Sequence, residues 1–65
     1  MEAKIDSPEV LGTAIRDRRR ELGLTQEQVA GTARTGARFV VDLESGKPTV
    51  RLAEVFRVLA ALGLD

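Results

Sequence analysis

Three glycines, Gly23, Gly46 and Gly63, each stand directly after a run of apolar residues at helical spacing. Glycine in that place closes an α-helix through a left-handed terminal residue, so each marks a helix stop. Three stops within 65 residues leave room only for short helices. No strand signal is of comparable strength, and no apolar run approaches the ~20 residues of a membrane span. The chain has no Cys and no His, which removes disulfides, thiolate ligands and imidazole chemistry together. A domain this small buries only roughly 60% of the surface its unfolded chain exposes, so its stability must come from close helix packing, a partner chain, or both.

The same absences argue against an enzyme. Two Ser, five Thr, two Lys and the carboxylates are what remains for a nucleophile, a base and a group to orient the base. A carboxylate pair would need a cleft, which 65 residues can scarcely form. No metal or cofactor is expected. Residues 1–6 are polar and no hydrophobic segment of a signal peptide follows, so the protein is expected to be cytoplasmic, with a flexible N-terminal segment over 1–6 and one domain over 7–65.

Formal net charge is zero, but the charges are unevenly placed. Between Arg16 and Arg51 eight basic residues face five acidic ones, a net of +3, while the remaining acids, Glu2, Asp6, Glu9, Glu54 and Asp65, lie toward the ends. A basic surface on a neutral molecule is therefore one reading, and an ordinary solvated surface is the other.

Local signals place four helices. Ser7 is the expected cap of helix one, with Pro8 at the first helical position, and Leu11, Ala14, Ile15 and Leu22 as its inward stripe. Arg18 falls on that stripe, its stem covering apolar surface while its guanidinium reaches water. Helix two opens at Leu24-Thr25-Gln26-Glu27-Gln28-Val29, where Thr25 and Gln28 fit a capping box and Leu24 and Val29 a hydrophobic staple. It runs to Thr32 or Ala33, followed by a tight turn at Arg34 to Gly36. Helix three, 37–45, turns Phe39, Val40 and Leu43 to one side and Ala37, Arg38, Val41, Asp42 and Ser45 to the other at about 100° per residue. That outward side mixes small, apolar and charged groups, which is unusual for a face that meets only water. Helix four, 50–62, takes Thr49 as its cap and packs Leu52, Val55, Phe56, Leu59 and Leu62.

Two short helices joined by a turn of about three residues form the helix-turn-helix plan, whose second helix enters the DNA major groove. Leu24-Thr25-Gln26 followed by Leu43-Glu44-Ser45-Gly46-Lys47-Pro48 resembles the Cro and lambda-repressor type, the XRE family. Ser7-Pro8, Phe39 and the run from Gly46 through Thr49 to Leu52 are similar to its HipB-type antitoxin branch, and the resemblance extends over 7–64. It implies an all-α, four-helix lambda-repressor-like helix-turn-helix domain that represses transcription as a homodimer on a palindromic operator. It also implies a HipA-type serine/threonine kinase toxin as partner. Members of that branch continue past helix four into a strand that pairs across the dimer. This sequence reaches Asp65, so either the dimer uses helix four and other apolar surface or a longer form carries the strand.

Position by position, the resemblance implies that Ala37, Arg38, Val41 and Asp42 face base edges and that Thr25, Gln26, Ser45, Lys47, Thr49 and Arg51 hold backbone phosphates. It implies further that Gln26 buttresses the recognition helix and that Arg19 and Glu44 pair to tie helix one to it. Arg38 has the geometry to bind guanine O6 and N7 with two hydrogen bonds, worth roughly 1–3 kcal/mol of discrimination. Asp42, one turn on, either orients Arg38 or accepts from a cytosine amine; the alternative is an exposed ion pair worth only ~0.3–0.5 kcal/mol. Ala37 and Val41 either touch thymine methyls or act as spacers. Lys47, Thr49 and Arg51 add affinity without sequence information.

Two departures stand out. Arg34 occupies a turn position where Gly is usual in the family, which predicts a positive φ at a cost on the order of 1 kcal/mol, or a turn of another shape. Gly36 replaces the Ser or Thr that often caps helix three. The run Gly31-Thr32-Ala33-Arg34-Thr35-Gly36-Ala37-Arg38 has P-loop glycine spacing but lacks its Lys and hydroxyl, and no strand precedes it. Arg18, Arg19 and Arg20 point three ways on a helix and read as surface, not a targeting tag. RNA reading by base stacking is disfavoured because Phe39 and Phe56, the two aromatics, both fit the core. Two further roles stand beside the autoregulating antitoxin: a toxin-holding protein with secondary DNA binding, and a stand-alone repressor.

Overall fold

A computed structural model describes residues 4–64. Within them the chain forms four helices and no strand: α1 (Pro8–Glu21), α2 (Gln26–Ala33), α3 (Ala37–Glu44) and α4 (Leu52–Ala61). Among the described residues no helix is long and apolar enough to cross a membrane. The segment expected over 1–6 is described only from Lys4, and Lys4 to Asp6 is non-helical and exposed; its first three residues and Asp65 lie outside the described residues.

The helix boundaries follow from local chemistry. The Ser7 hydroxyl accepts from the Val10 N–H at 3.1 Å, and Pro8 opens α1. The capping box of α2 is complete: the Gln28 N–H donates to Thr25 Oγ1 at 3.1 Å, and the Thr25 N–H to Gln28 Oε1 at 2.8 Å. Gly23, Gly46 and Gly63 all take left-handed φ, and in each case the next residue's N–H returns to a carbonyl five residues back. Arg34 ends α2 at φ 60° and ψ 48°, the left-handed conformation its place in the turn predicts. Gly36 precedes α3 without a side-chain cap.

α2 is central, packed on α3 and α4, while α1 packs on α3. The core is Ile15 from α1, Val29, Ala30 and Ala33 from α2, Val40 and Leu43 from α3, and Val55, Val58 and Leu62 from α4 and its end. Leu24 and Phe39 are half-buried against it, as the staple and the inward face of α3 require.

Several expectations are corrected. Leu22 follows α1 as its cap and is 43% exposed, because the stripe outruns the surface it packs on. α3 ends at Glu44, with Ser45 as its cap. α4 starts at Leu52 with Arg51, not Thr49, before it, and without a side-chain cap. Its inward face is rotated by about 60° from the expected one, at 100° per residue, so that Val58 is fully buried while Leu52 and Phe56 are 66% and 60% exposed. The cause is polar. Glu54 accepts from the Thr35 hydroxyl in the α2–α3 turn, and Arg57 Nε donates to the Ala33 carbonyl at 3.0 Å. These two anchors fix the roll of α4 against the end of α2 and turn Phe56 outward. Arg18 does more than shield apolar surface, for its Nε donates to the Leu62 carbonyl at 3.0 Å and so satisfies the end of α4.

Candidate nucleic-acid interface

α2 and α3 form the two arms of the helix-turn-helix, and a three-member polar clasp holds the second arm at its end. Arg19 Nε and Nη2 donate to the two oxygens of the Glu44 carboxylate at 2.6 and 3.0 Å, Arg19 Nη1 donates to the Leu24 carbonyl at 2.9 Å, and Gln26 Nε2 donates to Glu44 Oε1 at 3.2 Å. The pair is largely withdrawn from water, with 12% of the Arg19 side chain and 5% of Glu44 exposed. Glu44 therefore holds the Arg19 guanidinium more firmly protonated than usual, chiefly through these hydrogen bonds and against the opposing effect of burial. A two-pronged, charge-assisted contact constrains direction as well as distance. It joins α1, the start of α2 and the end of α3 in one rigid unit.

Gly12 sets how closely those elements approach. A methyl group there would stand 2.5 Å from the Leu43 carbonyl oxygen and 2.7 Å from that of Glu44. α1 thus lies directly on the backbone of α3, and only hydrogen fits at the crossing. Reasoning from the sequence pattern misses Gly12, although a mid-helix glycine facing the apolar stripe is a signal that could have found it.

The outer surface of α3 is a ridge between two grooves. On one side Arg38, Asp42, Lys47, Thr49 and Arg51 line a groove of about 350 Å³ together with the α2–α3 turn. On the other, Val41 and Ser45 face Gln26 and α1 across a groove of about 320 Å³. Arg38 is the most prominent side chain on the ridge at 83% exposed; its Nε pairs with Asp42 Oδ1 at 3.1 Å, and Lys47 Nζ lies 3.6 Å from Asp42 Oδ2. One carboxylate thus orients two cations, leaving the distal guanidinium nitrogens of Arg38 directed to solvent. Arg51 pairs with Glu54 yet stays exposed. Glu54 accepts from the Thr35 hydroxyl, the main cause that holds its carboxyl below its usual range; burial opposes, and Arg51 and Arg57 reinforce the lowering.

Not every expected site residue lies on this surface in an open state. Ala37 is half-buried and packs toward the core. The Ser45 hydroxyl donates to the Asp42 carbonyl at 2.8 Å, so its proton is already committed. Thr25 accepts in the capping box and keeps its own O–H proton free to donate, beside the N-terminus of α2 where N–H groups favour an anion. Thr49 is exposed in the loop before α4.

These features, two short helices at a tight turn with an exposed polar ridge on the second, define a helix-turn-helix protein. Residues 10–65 match the model of the helix-turn-helix domain family, and the chain belongs to it. It is 44% identical over 63 residues to an uncharacterized HTH-type transcriptional regulator, y4mF, of Sinorhizobium fredii, covering 97% of this chain and 83% of that protein. It is also 39% identical over 53 residues to an uncharacterized HTH-type transcriptional regulator of Methanothermobacter thermautotrophicus, covering 82% of this chain and 77% of that one.

Proposed function

We propose that the protein is a sequence-specific, duplex-DNA-binding transcriptional repressor that acts as a homodimer. The observation that carries the reading is the ridge of α3, with Arg38 aimed outward by Asp42 and the whole helix fixed by the buried Arg19–Glu44–Gln26 clasp. An α-helix fits the major groove, and a guanidinium held in one direction is what bidentate reading of guanine needs. Lys47, Thr49 and Arg51 on one flank and Thr25 and Gln26 on the other supply phosphate contacts that fix register. The relatives' description as transcriptional regulators agrees with this reading.

Dimerisation is supported by Leu52 and Phe56, neighbouring apolar side chains on the outer face of α4 that are left mostly exposed. The finer reading, a HipB-type antitoxin that represses its own operon and binds a HipA-type kinase, rests on the motif resemblance alone. A kinase gene beside this one would favour it over a stand-alone repressor. Should the protein chiefly hold a toxin, Arg38→Ala would leave neutralisation intact while weakening operator binding.

The experiment is selection of bound sequences from a random duplex library at two salt concentrations. A palindrome with half-sites one helical turn apart, or a multiple, is the expected result. Weak binding without sequence preference that vanishes at the higher salt would overturn the reading.

A further inference from the structure

The clasp leaves a charge imbalance beside it. Within the groove between α1 and α3, Arg19 and Glu44 neutralise each other, while Arg16 and Arg20 at the rim have no carboxylate within 4 Å and donate no side-chain hydrogen bond among the described residues. They stand four residues apart on one helix face, a like-charged arrangement that destabilises a helix. The C-terminal end of α1 favours Arg20, which lies in its last turn, but no carboxylate pairs with either side chain among the described residues. An anion seated between them would neutralise the pair.

The position of the pair points to which anion. Gly12 presses α1 onto the end of α3, and Arg16 and Arg20 follow it one and two turns along the same helix, so they border the recognition ridge at Val41 and Ser45. The cations of the loop after α3, Lys47 and Arg51, border the opposite side. A helix is about 10–12 Å across with its side chains and the major groove is about 12 Å wide, so a helix that enters it meets a sugar–phosphate strand on each side.

We propose that Arg16 and Arg20, with Gln26 beside them, form a second phosphate site that grips the DNA strand opposite the one held by Lys47 and Arg51. The site rests on the DNA-binding reading and adds to it the strand that α1 meets. The two arginines contribute affinity and orientation, not base recognition.

The test compares the unmodified protein with Arg16→Gln/Arg20→Gln and Arg16→Lys/Arg20→Lys on the selected operator and on a scrambled duplex, across a salt series. Removing one ionic bond to a phosphate lowers the slope of log affinity against log salt by about 0.9, which is roughly tenfold in affinity at 0.1 M salt. The Gln variant is expected to show a slope lower by one to two such steps on both duplexes equally, with thermal stability unchanged or raised, and the Lys variant to keep the slope. An unchanged slope in the Gln variant, with the unmodified protein binding its operator, overturns this site and leaves the DNA-binding reading standing. No duplex binding by the unmodified protein overturns both. Binding of inorganic phosphate at the two side chains, read from their NMR shifts, without any change in the duplex slope marks a free-anion pocket and also overturns the proposal.

Discussion

Replacing Gly12 by Ala sets two effects against each other, and the close approach of α1 to α3 decides the sign. Alanine inside a helix is favoured over glycine by about 1 kcal/mol, so an unobstructed site would be stabilised. At Gly12 the new methyl would stand 2.5 and 2.7 Å from two carbonyl oxygens of the α3 backbone, which cannot rotate away as a side chain would. α1 must recede, at an overpacking cost of about 1–3 kcal/mol. One of the obstructing oxygens belongs to Glu44, so the same movement loosens the Arg19–Glu44 clasp. The net is a loss of up to about 2 kcal/mol, or a fall in Tm of up to roughly 16 °C for a domain of this size. Gly31 supplies the control, since it lies exposed within α2 with nothing within 4 Å of an added methyl. There the same substitution should raise stability by about 0.5–1 kcal/mol. Thermal and urea unfolding followed by circular dichroism measure both. If Gly12→Ala stabilises as Gly31→Ala does, the reasoning about the α1–α3 contact is refuted.

Further outcomes follow from the turn, the acid cluster and the outer face of α4. Arg34→Gly relieves a non-glycine residue at φ 60° and should stabilise by about 1 kcal/mol, read as a shift in the urea midpoint at constant slope. The Glu54 carboxyl titrates below its usual 4.5 in the folded chain, first because Thr35 donates to it and then because Arg51 and Arg57 lie near. Its contribution is therefore present above pH 4.5 and lost as pH falls below it, so Glu54→Gln should flatten the acid limb of stability measured between about pH 7 and 3. Phe56→Asp should leave helicity intact but yield monomers in sedimentation equilibrium and weaken operator binding; an unaltered dimer would exclude this face.

Much of the fold is legible in the sequence wherever a few neighbouring residues settle the structure. The Thr25–Gln28 box, the glycine stops and the left-handed Arg34 are such cases, since each depends on contacts within about five residues. α4 is the opposite case. Val55, Phe56, Val58, Leu59 and Leu62 spread over an apolar arc of about 160° at 100° per residue, so periodicity admits two rolls, and the choice falls to Glu54 and Arg57 reaching the turn after α2. The role of Arg18 rests on Leu62, 44 residues away, and that of Gly12 on two carbonyls of another helix. Neither partner is visible from the local pattern. The ridge residues Arg38, Val41 and Asp42 are legible as a face, while the commitment of the Ser45 hydroxyl and the inward lean of Ala37 depend on the packed helix and its cap.

That α3 reads bases through Arg38 is tested most directly by repeating the selection from a random duplex library with Arg38→Ala and comparing the recovered sequence with that of the unmodified protein. Base reading by Arg38 predicts that preference disappears at one guanine in each half-site, at a discrimination cost of about 1–3 kcal/mol, while half-site spacing and salt slope stay the same. Recovery of the same sequence with the same preference at every position would contradict it.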